Sequence, residues 1–99
     1  MSDKGFDGDT VFLVWYDNGE PYEDGVRWVD SAHASIDSAL ACMASSGYTV
    51  ERQGFRRTIY SKPKLEHPGD DATDEEIYRF YDSELDHSYM YVEEMEVRR

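Results

Sequence analysis

Hydrophobic and polar positions change period several times along this chain, and each change marks an element. Thr10-Val11-Phe12-Leu13-Val14-Trp15-Tyr16 is an almost unbroken apolar, β-branched and aromatic run, the pattern of a strand inside a sheet. Asp17-Asn18-Gly19-Glu20-Pro21 and Asp24-Gly25 supply turn chemistry, so the chain should reverse and return as a second strand over Val26-Arg27-Trp28-Val29. The period then lengthens. Ala32, Ile36, Ala39, Leu40, Met43 and Ala44 recur at helical spacing up to Ser46, with Asp30 or Ser31 as N-cap and Gly47 as the left-handed C-terminal cap. This helix should cover one face of the sheet.

Tyr48–Gln53 and Phe55–Ser61 read as two further strands joined by a tight turn near Gly54. Lys62-Pro63-Lys64 breaks that pattern, and the stretch near residues 65–72, with Pro68-Gly69-Asp70-Asp71, is expected to be a mobile loop. Thr73-Asp74-Glu75-Glu76 has the form of a capping box, opening a helix to about Ser83 whose positions Ile77, Phe80, Tyr81 and Leu85 share a face. Ser88–Val97 alternates as a last strand, with Tyr89, Tyr91, Met95 and Val97 on one side. The expected organisation is a flexible N-terminal arm over residues 1–9 and a single α+β domain over 10–97. Its order is ββαββαβ, a roughly five-stranded, mostly antiparallel sheet with two helices packed on it.

Composition favours one folded unit. The chain has 99 residues, 39% of them hydrophobic, and its 14% aromatic content is too high for a disordered acidic segment. A single cysteine excludes an internal disulfide, so a cytoplasmic location is expected. The start Met1-Ser2-Asp3-Lys4-Gly5-Phe6-Asp7 has no apolar run behind a basic segment, and nowhere do about eighteen apolar residues follow one another. Neither a standard signal nor a membrane span is expected.

Charge changes the picture most. The formal net charge is -12, and it comes in blocks. Residues 1–47 carry -7, residues 48–65 carry +4, and residues 66–97 carry -11, with Arg98 and Arg99 closing the chain. Such a surface attracts cationic partners and repels nucleic acid and anionic membrane. Carboxylates three or four apart on a helix stand about 5–6 Å from one another. Asp74, Glu75, Asp82, Glu84 and Asp86, with Glu93, Glu94 and Glu96 on the last strand, therefore approximate a phosphate track. Tyr78, Tyr81, Tyr89 and Tyr91 lie among them, and tyrosine gives amphipathic contact area at little entropic cost.

The basic block offers the opposite chemistry. Arg52, Arg56, Arg57 and Lys62, interleaved with Phe55 and Tyr60, form the one segment suited to phosphate contacts and base stacking. If Arg52, Arg56 and Lys62 face outward from one hairpin they make a patch. The alternative is that these bases neutralise carboxylates within the molecule, which is the expectation adopted here. Catalytic signals are weak: Cys42 sits on or near an apolar stripe as a buried thiol would, His33 reads as a solvated helix residue, and His87 stands beside Asp86 as half of a conceivable acid–base pair. Asp7-Gly8-Asp9 and Asp70-Asp71-Ala72-Thr73-Asp74 lack EF-hand spacing, and there is no thiolate pair, HExxH or phosphate-binding glycine loop. No enzyme activity, cofactor or metal is expected.

The compact α+β pattern, the lack of a catalytic motif, and the carboxylates crowded with tyrosines over Asp74–Glu96 resemble the small acidic proteins that bacteriophages encode against host machinery, the anti-CRISPR and DNA-mimic proteins. The opening Val11–Tyr16, Val26–Val29 and Ser31–Ser46 is also similar to short phage and bacterial domains. The resemblance implies a non-enzymatic inhibitor occupying the basic, nucleic-acid-binding surface of a defence or transcription complex, working in the host cytoplasm. The second expectation is a small nucleic-acid-binding or regulatory domain using the hairpin over residues 52–64. Acidic and basic segments on one chain also allow a homodimer.

Overall fold

In the computed structural model, which describes residues 10–97, the chain folds as β1 (Thr10–Asp17), a 3-10 turn (Tyr22–Asp24), β2 (Arg27–His33), α1 (Ile36–Ser45), β3 (Val50–Gly54), β4 (Arg57–Ser61), α2 (Asp74–Leu85) and β5 (Tyr89–Glu96). The arm expected over residues 1–9 lies outside the described residues. The five strands form one sheet in the order β2-β1-β5-β4-β3, every pairing antiparallel. This is the single α+β domain, ββαββαβ, that the pattern predicts.

Alternation sorts the side chains onto two faces. Phe12, Val14 and Tyr16 of β1 share a face with Met90 and Val92 of β5 and Tyr60 of β4. Against that face lies α1, and together Val14, Ala39, Met43, Tyr48 and Met90 make the buried core. Burial drives the arrangement, since apolar area removed from water contributes about 25 cal/mol per Å². Leu13, Trp15, Tyr89, Tyr91 and Ile59 occupy the opposite face, which no helix among the described residues covers.

Two boundaries differ from the sequence expectation. The pattern placed the N-cap of α1 at Asp30 or Ser31, but β2 runs on through His33, because Ser31 and His33 pair across to Val14 and Phe12 of β1. The cap is Ser35, whose hydroxyl accepts the Ser38 N–H at 3.1 Å. The register shifts between Val14 and Trp15, leaving Asp30 as the extra residue of a bulge. The second difference is the start of β4, expected at Phe55 and found at Arg57: the turn near Gly54 takes up Phe55 and Arg56, and Arg56 has the left-handed backbone (φ 63°). Gly47 does end α1 with φ 93°.

The helices are not equivalent. No side chain of α2 is buried and none joins the core. Instead α2 rests on the segment after β4: the His67 and Phe80 rings meet edge to face at 5.0 Å, and Lys64 Nζ donates to the Ser83 carbonyl at 3.1 Å. Its start is the expected capping box, with the Thr73 hydroxyl accepting from Glu76 N–H and the Glu76 carboxylate accepting from Thr73 N–H, both at 3.2 Å. Among the described residues no helix is long and apolar enough to cross a membrane.

Candidate functional site

Helical spacing divides α2 into two sides. Ile77, Phe80 and Ser83 are half-buried toward the segment it rests on, while Asp74, Tyr78, Tyr81, Asp82 and Leu85 recur three and four apart on the outward side, so Tyr81 and Leu85 do not share the covered face with Ile77 and Phe80 as the pattern predicts. Tyr78 is 71% exposed, Tyr81 54% and Leu85 74%, values that leave three large apolar bodies facing solvent beside Asp74, Glu75 and Asp82. The structure thus brings together Asp74, Glu75, Tyr78, Tyr81 and Asp82 of the predicted set. Glu84 lies off this stripe, toward the opposite flank.

The remaining predicted acids go elsewhere. Glu93 projects from the uncovered sheet face, where it accepts the Trp15 Nε1–H at 2.9 Å, whereas Glu94 and Glu96 pair with Phe12 and Thr10 and so belong to the α1 face. Tyr89 and Tyr91 lie on the uncovered face with Trp15, whose ring stacks on Tyr91 at 6.2 Å. Tyr91 is buried. Asp86 is a joint in the fold: it accepts from the Ser88 backbone N–H at 2.9 Å and from the Ser88 hydroxyl, and faces Lys62 at 3.4 Å. Ser88 Oγ, donating to Asp86, is left to accept from the buried Tyr48 hydroxyl at 2.8 Å. Partial burial pushes the Asp86 carboxyl up, but the Ser88 hydrogen bonds and the Lys62 ammonium outweigh it and hold the group below the usual carboxylate range. Burial, together with the bond its hydroxyl donates to Asp17 at 3.1 Å, pushes the Tyr89 phenol up, so it stays a neutral donor.

The basic residues overturn one expectation. Among the described residues the ion pairs are Lys62–Asp86 and Arg79–Glu75, so internal neutralisation holds for Lys62 but not for Arg52, Arg56 or Arg57. Arg57 lies over the Tyr91 ring at 4.1 Å and Arg56 over Phe55 at 5.1 Å. The outward grouping also changes. Arg52 shares its face with Ile59, two residues from Arg57, while Arg56 sits in the turn; the patch is therefore built on Arg52 and Arg57.

Two residues acquire surroundings the sequence did not show. His33 is not in the helix: at the end of β2 its Nε2 meets Ser31 Oγ at 2.7 Å and its Nδ1 meets Ser38 Oγ at 2.8 Å. Cys42 is half-buried, with its Sγ 3.4 Å from Ser31 Oγ and 3.8 Å from Asp30 Oδ2. Only the strand pairing of Ser31 and His33, invisible to helical periodicity, brings this cluster together. No group of three His, Cys, Asp or Glu side chains among the described residues converges as a metal requires. Comparison with family models, with curated proteins and with solved structures found no match in any of the three.

Proposed function

We propose that this protein is a non-enzymatic acidic binding protein, an inhibitor that seats α2 on a basic, nucleic-acid-binding surface of a partner protein and so excludes the nucleic acid. The reading takes its type from the phage anti-defence proteins that the chain resembles in composition. One observation carries it: the outward side of α2 alternates exposed Tyr78, Tyr81 and Leu85 with the carboxylates of Asp74, Glu75 and Asp82. Aromatic bodies supply contact area, and the surrounding negative charge selects a cationic surface and speeds encounter. The helix is free to do so because the fold does not use that side.

The test is competition. The protein is used to capture a nucleic-acid-binding protein from host lysate at low and high salt, and that partner's binding to its own nucleic acid is then measured with the inhibitor present. Combined Asp74→Lys, Glu75→Lys and Asp82→Lys substitutions should abolish capture and restore nucleic-acid binding, whereas Glu94→Lys with Glu96→Lys, on the α1 face of the sheet, should leave both nearly unchanged. Equal capture by the α2 variant, or a captured partner whose nucleic-acid binding is undisturbed, would refute the reading.

A further inference from the structure

The face of the sheet that α1 leaves uncovered concentrates the scarce positive charge. Seven Lys and Arg residues lie within 10–97, against nineteen Asp and Glu, yet five of the seven line two cavities on this one face. The larger, about 520 Å³, is bounded by Arg52, Lys62, Lys64 and His87 together with the Ser61 and Ser88 side chains. The smaller, about 320 Å³, is bounded by Arg27, Arg57, Phe55 and Tyr91. Ile59 and Tyr89 line both, so the two cavities share a wall. Asp86 is the one carboxylate lining either of them among the described residues.

The chemistry of the two halves differs. The larger half gathers the Lys62 and Lys64 ammonium groups, the Arg52 guanidinium and the Ser61 hydroxyl, donors of the kind that hold phosphate oxygens, whereas the Ser88 hydroxyl is spent on Asp86. Gly19 closes part of it, with φ 75° and its backbone so near the His87 carbonyl that a β-carbon would overlap it. Flat surfaces make up the smaller half: Arg57 is laid over Tyr91, Arg27 is 5.8 Å from the Trp15 ring centre, and Phe55 is 84% exposed. A planar heterocycle can stack on a guanidinium or a phenyl ring. Carboxylates on this face are already engaged by the chain's own donors: Asp17 by the Tyr89 hydroxyl, Glu93 by Trp15, and Asp86 by Ser88 and the Lys62 ammonium at 3.4 Å. Lys64 Nζ donates to the Ser83 carbonyl at 3.1 Å, which leaves two of its three N–H groups, while Arg27, Arg52 and Arg57 have no carboxylate within ion-pair distance among the described residues.

We propose that this face binds a nucleoside polyphosphate, its phosphates in the larger cavity among Arg52, Lys62 and Lys64 and its base in the smaller between Arg57 and Phe55. The net charge of -12 decides for a compact ligand over a long strand. Repulsion from the acidic remainder is screened beyond about 8 Å at physiological salt, so a ligand held within the two cavities feels mainly the local cations, while a polynucleotide would extend past them.

Calorimetric titration with ATP tests this, beside adenosine alone, inorganic tripolyphosphate and a short single-stranded oligodeoxythymidylate. ATP should bind, and adenosine and tripolyphosphate should each bind at least about tenfold more weakly, since each fills one half. Arg52→Glu and Arg57→Glu should each weaken ATP by about tenfold or more. Arg79→Glu makes the same charge change on α2, outside both cavities, and should stay within about threefold of the parent. Thermal unfolding is compared for each variant, and Arg52→Gln replaces the reversal if that protein does not fold. Absence of ATP binding, an Arg79→Glu loss equal to that of Arg52→Glu, or an oligonucleotide that binds where ATP does not would each overturn the proposal.

Discussion

α1 and α2 begin alike and end as different kinds of structure. Each is capped by a hydroxyl, Ser35 or Thr73, that accepts from the third helical N–H. From there α1 sinks Ala39 and Met43 into the core, whereas α2 buries nothing. Helices shorter than about 12–15 residues are marginal alone in water, so each needs support from elsewhere. For α1 the support is the sheet. For α2 it is the capping box, the acids at its N-terminal end, and the half-buried Ile77 and Phe80 against the preceding segment. A helix held in that way keeps its outward side free for a partner, and its stability can be separate from that of the domain.

The sharpest way to break this comparison is to remove the core contribution of α1. Met43 has no exposed surface, so Met43→Ala should destabilise the whole domain by about 2–5 kcal/mol, seen as a lower urea midpoint with an unchanged slope. A loss well under about 1 kcal/mol would mean that α1 is not bound into the fold as its burial indicates. The matching change in α2 should act differently. Thr73→Ala removes the cap and should cost about 1 kcal/mol, felt locally. Amide exchange along Asp74–Leu85 should quicken while the urea midpoint of the sheet scarcely moves. Should that midpoint fall with it, α2 belongs to the same cooperative unit as α1 and the contrast fails.

What the sequence disclosed follows the same division between local and long-range causes. The capping box at Thr73 was legible because all its parts lie within four residues, and β1 because its apolar run is unbroken. The start of α1 was not. Ala32 fits a helical stripe with Ile36 and Ala39 as well as it fits a strand, and only the pairing of β2 with β1 decides between them. In the same way the apolar Phe55 looked like the first residue of β4, yet the register Gly54↔Arg57 puts Phe55 and Arg56 in the turn and gives Arg56 the left-handed backbone. For the candidate surfaces the lesson is similar. Asp74, Tyr78 and Asp82 fall together by helix geometry alone, while the separation of Glu93 from Glu94 and Glu96 is what strand alternation demands. The basic face needed the full sheet order, since Arg27 arrives from β2 and Arg52 and Arg57 from the hairpin at the other side of β5.

The smallest effect concerns the joint between α2 and the sheet. Asp86 follows the last residue of α2, and its carboxylate binds Ser88 at the entry to β5 and Lys62 at the exit from β4. Its folded pKa lies below the unfolded value near about 4, so the native state binds fewer protons there than the unfolded chain. The resulting stability is present above that unfolded pKa and is lost as pH falls through the folded one. Because the Asp86 side chain is 33% exposed and Lys62 48%, the contribution should be on the order of a few tenths of a kcal/mol. Asp86→Asn keeps an acceptor for the Ser88 N–H and loses the charge, so the urea midpoints of parent and variant should differ slightly at neutral pH and converge as the solution is acidified below about pH 4. A gap that persists unchanged into acid would show that the joint is held by the Ser88 hydrogen bonds and the buried Tyr48 hydroxyl, with the Lys62 charge adding nothing. In that case α2 would be tied to the sheet by neutral contacts, and salt, which weakens exposed ion pairs, would leave its position unchanged while still weakening any partner held by its outward carboxylates.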